Sequence, residues 1–243
     1  MIIENTVFNS LQTLDGSSFD GSVIKNCIFK GSSDKALYLR DCHNVEIKDC
    51  IFTGCTREAI KLASTGTRGC HNVSIHHNYF YNMPSHGILA SLTKDSGFNH
   101  LNLSISDNEF YNVAYADTVD KNHCLYIVCS GFSITGNLFM DAKDAHAISV
   151  RASGDVKYNK IYSAKECGIR YFNSSPVSGG ILRIEGNEIS ASTIGISFEK
   201  NSDSNYGTIM GAIVRNNIIK YCQVPYEEKG QINWLIEKRD CTW

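Results

Sequence analysis

The feature that most constrains the fold of this chain is a short unit that recurs along most of its length. In each copy an apolar β-branched residue is followed three positions later by a small or amide residue, and an apolar residue comes two positions after that. The unit returns every 21 to 30 residues. A recurrence of this length is typical of a solenoid, in which each repeat buries its apolar face against its neighbours. The small or amide column contains Thr6, Cys27, Cys50, Asn78, Asn108, Asn137, Asn159, Asn187 and Asn217.

Two apolar columns flank the amide column, and their spacing predicts strands. Side chains that alternate across a strand would place both columns inside, stacked one coil above the next, as a parallel β solenoid requires. The first column is Ile3, Ile24, Ile47, Ile75, Ile105, Ile134, Val156, Ile184 and Val214. The second is Phe8, Phe29, Phe52, Phe80, Phe110, Phe139, Ile161, Ile189 and Ile219.

A second strand is predicted later in each coil, because small and apolar residues again alternate with outward ones. This period-2 pattern excludes helical repeats. A leucine-rich repeat has a similar length but requires an xxLxLxxN frame, which is absent. The second strand is predicted at residues 36–39, 59–62, 87–90, 124–127, 147–150, 168–171 and 195–198.

The V-x-I-x-x-N-x-F unit followed by G-I-x-L resembles the right-handed parallel β-helix of the pectin-lyase-like superfamily. This resemblance implies an all-β, single-stranded right-handed parallel β-helix of about nine coils with a stacked asparagine ladder. We interpret the asparagines as structural: they tolerate left-handed backbone and hydrogen-bond between coils. The chain is expected to be one domain over residues 1–243. Residues 226–243, which contain Trp234 and Trp243, are expected to form a C-terminal cap.

Composition excludes some partners. A net charge of −2 without a basic run argues against nucleic acid, and the absence of a long apolar run argues against a membrane span. The ten cysteines are irregularly spaced and are interpreted as reduced core residues. No signal peptide is recognised, which indicates a cytoplasmic protein or a fragment of an exported or virion protein. Since residues 2–8 already match the repeat, a parent chain or stacking partner is expected at that end.

The outward positions of the second strand predict a binding groove. In the superfamily this strand's outer face is the usual floor of the groove. The predicted floor is cationic and aromatic, with one acid near its end. Its first outward column is Tyr38, Lys61, Leu89, Tyr126, Ser149, Arg170 and Ser197, and its second is Arg40, Ala63, Ser91, Val128, Arg151, Phe172 and Glu199.

Three consecutive coils carry a histidine at the entry to this strand: His86, His123 and His146. One interpretation is a structural column at a crowded corner, and the other is a cluster of proton-transfer groups at the groove edge. A long turn before His123 brings Asp117 and Asp120 nearby, and solenoid insertions tend to gather at a binding face. The sequence leaves both interpretations open.

These residue types suit uronate chemistry better than hydrolysis. Glycoside hydrolysis needs two carboxylates about the bond, and the outward floor offers only Glu199. β-Elimination needs a cation for the sugar carboxylate, a base for the C5 proton and an acid for the leaving oxygen, and C5-epimerisation uses similar groups. The candidate catalytic residues are His123, His146, Tyr126 and Arg151, and the candidate substrate-binding residues are Lys61, His86, Arg170, Tyr38, Asp117 and Asp120.

A local resemblance supports this interpretation. The segment HAISVRAS, residues 146–153, is similar to the E-x-I-S-V-K-S strand of the alginate and dermatan lyases of the superfamily. It places Arg151 where those enzymes carry a catalytic lysine, although His146 replaces their glutamate. The following CGIRYF does not reproduce their second basic motif, and Leu89-Ala90-Ser91 stands where mannuronan epimerases carry DPH.

The resemblance also suggests calcium as a cofactor, because members of the superfamily often use this ion to acidify the substrate. Asp117, Asp120 and Asp144 are the candidate oxygen ligands, and the chain shows no zinc-ligand spacing. The expected partner is an acidic polysaccharide or oligosaccharide. The alternative function is a non-catalytic glycan-binding or structural module, as in a phage tail protein or adhesin.

Overall fold

A computed structural model describes residues 1–65, 68–91, 100–116, 122–173, 179–200, 208–230 and 235–243. These residues form 28 strands, numbered β1 to β28 in chain order, and a 3-10 turn at Ser17–Phe19. The described residues contain no helix with the length and apolar character needed to cross a membrane.

Each coil contributes one strand to each of three parallel sheets. The first sheet contains β1 (Ile2–Glu4), β4 (Val23–Lys25), β7 (Glu46–Lys48), β10 (Ser74–His76), β13 (Ser104–Ser106), β16 (Phe132–Thr135), β19 (Gly154–Lys157), β22 (Ile181–Glu185), β25 (Gly211–Arg215) and β28 (Leu235–Arg239). The second contains β2 (Val7–Phe8), β5 (Ile28–Lys30), β8 (Ile51–Thr53), β11 (Tyr79–Met83), β14 (Glu109–Val113), β17 (Leu138–Ala142), β20 (Lys160–Ala164), β23 (Glu188–Ser190) and β26 (Ile218–Lys220). The third contains β3 (Gln12–Asp15), β6 (Leu37–Arg40), β9 (Ile60–Ala63), β12 (Ile88–Ala90), β15 (Leu125–Ile127), β18 (Ile148–Val150), β21 (Cys167–Phe172), β24 (Ile194–Glu199) and β27 (Val224–Lys229).

Equivalent residues of successive coils pair in register, which confirms the predicted parallel β-helix. Ile47 pairs with Ile75, and Ile75 pairs with Ile105. The phenylalanine column forms a continuous stack from Phe8 to Phe139, with ring centroids 4.6 to 5.0 Å apart. Both predicted apolar columns therefore pack inside. Phenylalanine rings of successive coils can stack because the distance between neighbouring strands is close to the distance between stacked rings.

The asparagine ladder is confirmed as a hydrogen-bonded column. The Nδ2 of Asn108 donates to the carbonyl oxygen of Ile75 at 2.9 Å, and the backbone N–H of Asn108 donates to Oδ1 of Asn137 at 3.0 Å. The tolerance of asparagine for left-handed backbone is not used by the ladder residues. Positive φ falls one residue earlier, where the chain turns: His77, Asp107, Gly136, Tyr158, Gly186 and Asn216.

The C-terminal segment continues the solenoid further than the sequence pattern indicated. Strand β27 pairs with β24, and β28 pairs with β25. Trp243 contacts the ring of Tyr226 but stays 49% exposed, and Trp234 lies outside the described residues. All ten cysteines are free and eight are buried, in agreement with their interpretation as reduced core residues.

Candidate functional site

The three histidines belong to a longer polar column at the entry to the third sheet. Each member of the column lies two residues before an inward-facing residue of a third-sheet strand. Because these strands pair in register, members from successive coils are neighbours. The position is polar in five coils and ends on a thiol. The column reads Lys35, Glu58, His86, His123, His146 and Cys167.

Backbone hydrogen bonds join the imidazoles into a ladder. The N–H of His123 donates to Nδ1 of His86 at 2.9 Å, and the N–H of His146 donates to Nδ1 of His123 at 3.4 Å. The N–H of Cys167 donates to Nδ1 of His146 at 3.2 Å. The rings of His123 and His146 are stacked, with centroids 4.8 Å apart. The histidines thus have a structural role whether or not they also contact a ligand.

This ladder sets the tautomers of His86 and His123. A ring nitrogen that accepts a backbone N–H cannot carry a proton, so the neutral rings of His86 and His123 hold their proton on Nε2. Burial lowers the pKa of His86, and it lowers the pKa of His123 well below the ordinary value, assisted by the neighbouring imidazoles and Arg151. His123 is therefore neutral at pH 7 and available as an Nε2–H donor.

Next to the ladder, aromatic rings and guanidinium groups alternate along the outer face of the third sheet. The guanidinium carbon of Arg151 lies 4.8 Å from the centre of the Tyr126 ring and 4.8 Å from that of Phe172. On the other side of Phe172, the guanidinium of Arg170 lies 4.7 Å from the same ring. The ring of His123 stacks on Tyr126 at 5.4 Å. The rings therefore hold Arg151 in a fixed orientation.

Arg151 is the distinctive group of this arrangement. Its side chain is buried, with 5% of the residue exposed, and within the described residues its Nε and Nη1 have no hydrogen-bond partner. Burial lowers the pKa of Arg151, but a guanidinium stays charged at pH 7. A buried charge with two unpartnered N–H-bearing nitrogens is costly, so these groups suit an anionic ligand.

Arg170 and Glu199 border a cavity of about 350 Å³ that continues from Phe172 toward the C-terminal coils. Arg170 Nη2 donates to Glu199 Oε2 at 2.5 Å, and Arg170 Nη1 lies 2.9 Å from Nε2 of His146. A second carboxylate, that of Glu166, lies 3.6 Å from the same Nε2. The cavity is lined by His146, Glu166, Cys167, Arg170, Thr193, Ile194, Ser197, Glu199 and Lys229.

Two of the predicted substrate-binding residues lie further along the groove. Lys61 is on β9 and Tyr38 is on β6, which puts them about 10 and 14 Å from the Tyr126 strand at the usual strand spacing. Burial lowers the pKa of Lys61, and its Nζ lies 3.9 Å from Glu58. Tyr38 packs beside Arg40. The structure thus groups the histidines, Tyr126, Arg151 and Arg170, and separates Lys61 and Tyr38 from them.

Two carboxylates of this face were missed by sequence reasoning. Glu58 is buried and occupies the histidine column one coil earlier, with Arg57 Nε 3.7 Å from its Oε2. Glu166 precedes the third-sheet strand in the coil of Arg170. Alignment on the inward residue of each strand would have found Glu58, since Glu58 and His86 stand at the same offset from Ile60 and Ile88.

Of the three predicted calcium ligands, Asp144 alone lies within the described residues. Asp117 and Asp120 lie outside them. Asp144 is buried, and its Oδ2 accepts hydrogen bonds from the backbone N–H and Nδ2 of Asn122 at 2.7 and 3.0 Å. Across the described ranges, no group of three or more His, Cys, Asp or Glu side chains has a geometry that could hold a metal ion.

Comparison with known proteins supports the β-helix fold. The model of the right-handed β-helix region matches residues 13–180. The chain belongs to the right-handed β-helix family. The comparison with curated proteins gives no match.

Solved structures share the fold of this β-helix protein at low identity. The catalytic unit of a GH87 α-1,3-glucanase from Streptomyces thermodiastaticus is 12% identical with a TM-score of 0.74, covering 100% of this chain and 48% of that one. The A-module of the mannuronan C-5 epimerase AlgE4 from Azotobacter vinelandii is 11% identical with a TM-score of 0.55, covering 99% and 76%. The chain thus spans about half the length of the glucanase unit, and these similarities concern the fold.

Proposed function

We propose that this protein acts on a uronate-containing polysaccharide, by β-elimination or C5-epimerisation, in the groove over the third sheet. The observation that carries the proposal is Arg151: a buried guanidinium, clamped between Tyr126 and Phe172, whose Nε and Nη1 have no hydrogen-bond partner within the described residues. A sugar carboxylate matches the guanidinium in charge and in planar geometry. The β-helix fold, which is shared with glycan-active enzymes, is consistent with a carbohydrate partner.

The neighbouring side chains supply roles for the reaction. Arg151 binds the carboxylate and stabilises the negative charge that develops when C5 loses its proton. His123 uses Nδ1 in the ladder, so it acts as an Nε2–H donor rather than as a base, whereas Nε2 of His146 lies against the Arg170 guanidinium. Tyr126 is left for the proton transfer, because its ring lies between the histidines and Arg151.

The elimination requires a base at C5, and we assign this role to the phenolic oxygen of Tyr126, which takes the C5 proton when its own proton has been removed. The electron pair of the C5–H bond forms the C4–C5 double bond, and the C4–O bond breaks with its pair going to the leaving oxygen. The hydroxyl of Tyr126 then returns its proton to that oxygen. In the epimerisation the C4–O bond stays intact: a water molecule donates a proton to C5 on the opposite face of the ring, and the resulting hydroxide takes the proton that Tyr126 abstracted.

The test is incubation with alginate, pectate, hyaluronan and dermatan, with and without calcium. Ultraviolet absorbance of the unsaturated uronate detects elimination, and NMR of the polymer detects inversion at C5. We expect a product on at least one polymer, lost in Arg151→Ala and retained in Arg183→Ala, a control on the first sheet. A product from wild type that persists in Arg151→Ala would contradict the assigned role. Binding without product would indicate the non-catalytic module.

Glycoside hydrolysis is a second candidate, favoured by one observation. Glu166 and Glu199 line the same cavity, so the third sheet brings together two carboxylates where the sequence indicated one. Hydrolysis needs such a pair, one acting as acid and one as base or nucleophile. New reducing ends without unsaturation, lost in both Glu166→Gln and Glu199→Gln, would favour this candidate over the uronate chemistry.

A further inference from the structure

Two neighbouring parts of the groove differ in charge. At Arg151 two nitrogens of the guanidinium, Nε and Nη1, have no hydrogen-bond partner among the described residues. In the adjoining cavity the cations have carboxylate partners: Arg170 pairs with Glu199 at 2.5 Å, and Lys229 pairs with Glu227 at 2.9 Å. Glu166 adds another carboxylate to the cavity wall.

The two parts lie close enough to hold adjacent sugars of one chain. Arg151 and Arg170 contact the same Phe172 ring, at 4.8 and 4.7 Å. Arg170 and Glu199 lie on the paired strands β21 and β24, so the cavity begins about one strand spacing, roughly 5 Å, beyond the Arg151 site. This is of the order of one monosaccharide unit.

A second uronate would fit this cavity poorly. Its carboxylate would approach Glu166 and Glu199, while Arg170 is already committed to Glu199. Like charges placed together at a binding site oppose association and give specificity. The hydroxyl or amide groups of an uncharged sugar, by contrast, can hydrogen-bond to carboxylate oxygens and to the side chains of Thr193 and Ser197, which also line the cavity.

We infer that the preferred ligand is a copolymer in which the uronate held at Arg151 is followed by a neutral or amino sugar, rather than a polymer of uronates alone. This inference rests on the proposed function, since it takes the carboxylate at Arg151 as its starting point. Glu199 and Glu166 then act as specificity-determining residues that select against a charged neighbour.

The test is binding, measured by affinity electrophoresis through gels containing hyaluronan or dermatan, which alternate uronate with an amino sugar, or alginate or pectate, which are polyuronates. We expect tighter binding to the alternating polymers. Glu199→Gln removes one negative charge and releases Arg170, so it should shift the preference toward alginate and pectate by about fivefold. Glu109→Gln, on the outer face of the second sheet, is the matched control and should not shift it.

The outcomes separate the two proposals. Alginate or pectate bound as tightly as hyaluronan and dermatan, with loss of binding in Arg151→Ala, would overturn the inference and leave the proposed function intact. A preference that Glu199→Gln does not change would also overturn the assignment of that residue. No binding to any of the four polymers would overturn both.

Discussion

The guanidinium carbon of Arg151 lies 4.8 Å from the centre of the Tyr126 ring; Tyr126 is in β15, and Arg151 directly follows the neighbouring strand β18 of the third sheet. The contact has consequences on both sides. It fixes the orientation of the planar guanidinium of Arg151, and it places the phenol ring of Tyr126 beside a fixed positive charge. A ligand carboxylate at Arg151 would therefore bind next to the proposed proton-transfer residue.

Replacing Arg151 by lysine keeps a positive charge but removes the planar fork. We expect Arg151→Lys to lose about tenfold or more in affinity for a uronate oligosaccharide, because an ammonium group makes neither the bidentate contact nor the same ring stacking. Phe172→Leu keeps an apolar side chain and removes one stacking partner, so its loss should be smaller, about fivefold. Calorimetric titration measures both, and equal affinity of Arg151→Lys and wild type would contradict the role of the fork.

The asparagine ladder predicts a large stability effect at one buried amide. Asn108→Ala leaves the carbonyl of Ile75 and the backbone N–H of Asn78 without their buried partners. We expect a loss of about 2–5 kcal/mol in the free energy of unfolding, measured by chemical denaturation. The exposed Asn102, changed to Gly so that its positive φ is retained, should cost less than about 1 kcal/mol. Similar losses for the two variants would contradict the ladder's role.

Phe110 tests the apolar stack. Its ring lies between those of Phe80 and Phe139, at 4.6 and 4.8 Å, and it is fully buried. Phe110→Ala should cost about 3–5 kcal/mol of unfolding free energy, because it removes both ring contacts and leaves a cavity. Phe110→Leu keeps most of the volume and should cost less. A loss of less than about 1 kcal/mol of unfolding free energy in the alanine variant would show that the phenylalanine stack contributes little to the stability of the core.

The fold could be predicted from the sequence because burial repeats with the chain. Each inward residue of a coil packs against the equivalent residue of the next coil. The burial of Ile75 and Phe80 can therefore be predicted from the apolar residues at the equivalent positions of the other coils. The left-handed residues were harder to predict, because the backbone conformation at His77 or Asp107 depends on where the turn bends and not on burial.

The site was predictable only in part. The histidines stood out because three consecutive coils carry one at the same position, and Arg151 stood out through the resemblance of residues 146–153 to a lyase strand. The clamp of Arg151 between two rings depends on side-chain directions at the end of a strand, which alternation does not determine. Glu166 was missed because the turns before the third-sheet strands vary in length, so its alignment with the groove edge was hidden.

The buried histidines predict acid sensitivity. Burial lowers the pKa of His123 below its ordinary value of 6.5, so the folded state binds its proton less readily than the unfolded state. Its contribution to stability is therefore complete above about pH 6.5 and is lost as the pH falls toward the folded pKa. Unfolding measured from pH 7.5 to 5 should show this decline.

His123→Asn is the variant that isolates this contribution. The amide oxygen can take the place of Nδ1 as acceptor for the N–H of His146, but the side chain does not titrate. The decline in stability between pH 6.5 and 5 should therefore be shallower than in wild type. An unchanged slope would contradict the assignment of the acid sensitivity to His123.

The central claim, that Arg151 binds the substrate carboxylate, is tested most directly by calorimetric titration of wild type and Arg151→Ala. Each is titrated with a uronate oligosaccharide and with the same oligosaccharide after reduction of its carboxylates to alcohols. Wild type should bind the uronate form at least about tenfold more tightly than the reduced form, and Arg151→Ala should bind the two forms equally. An equal preference for the uronate form in both proteins would contradict the claim.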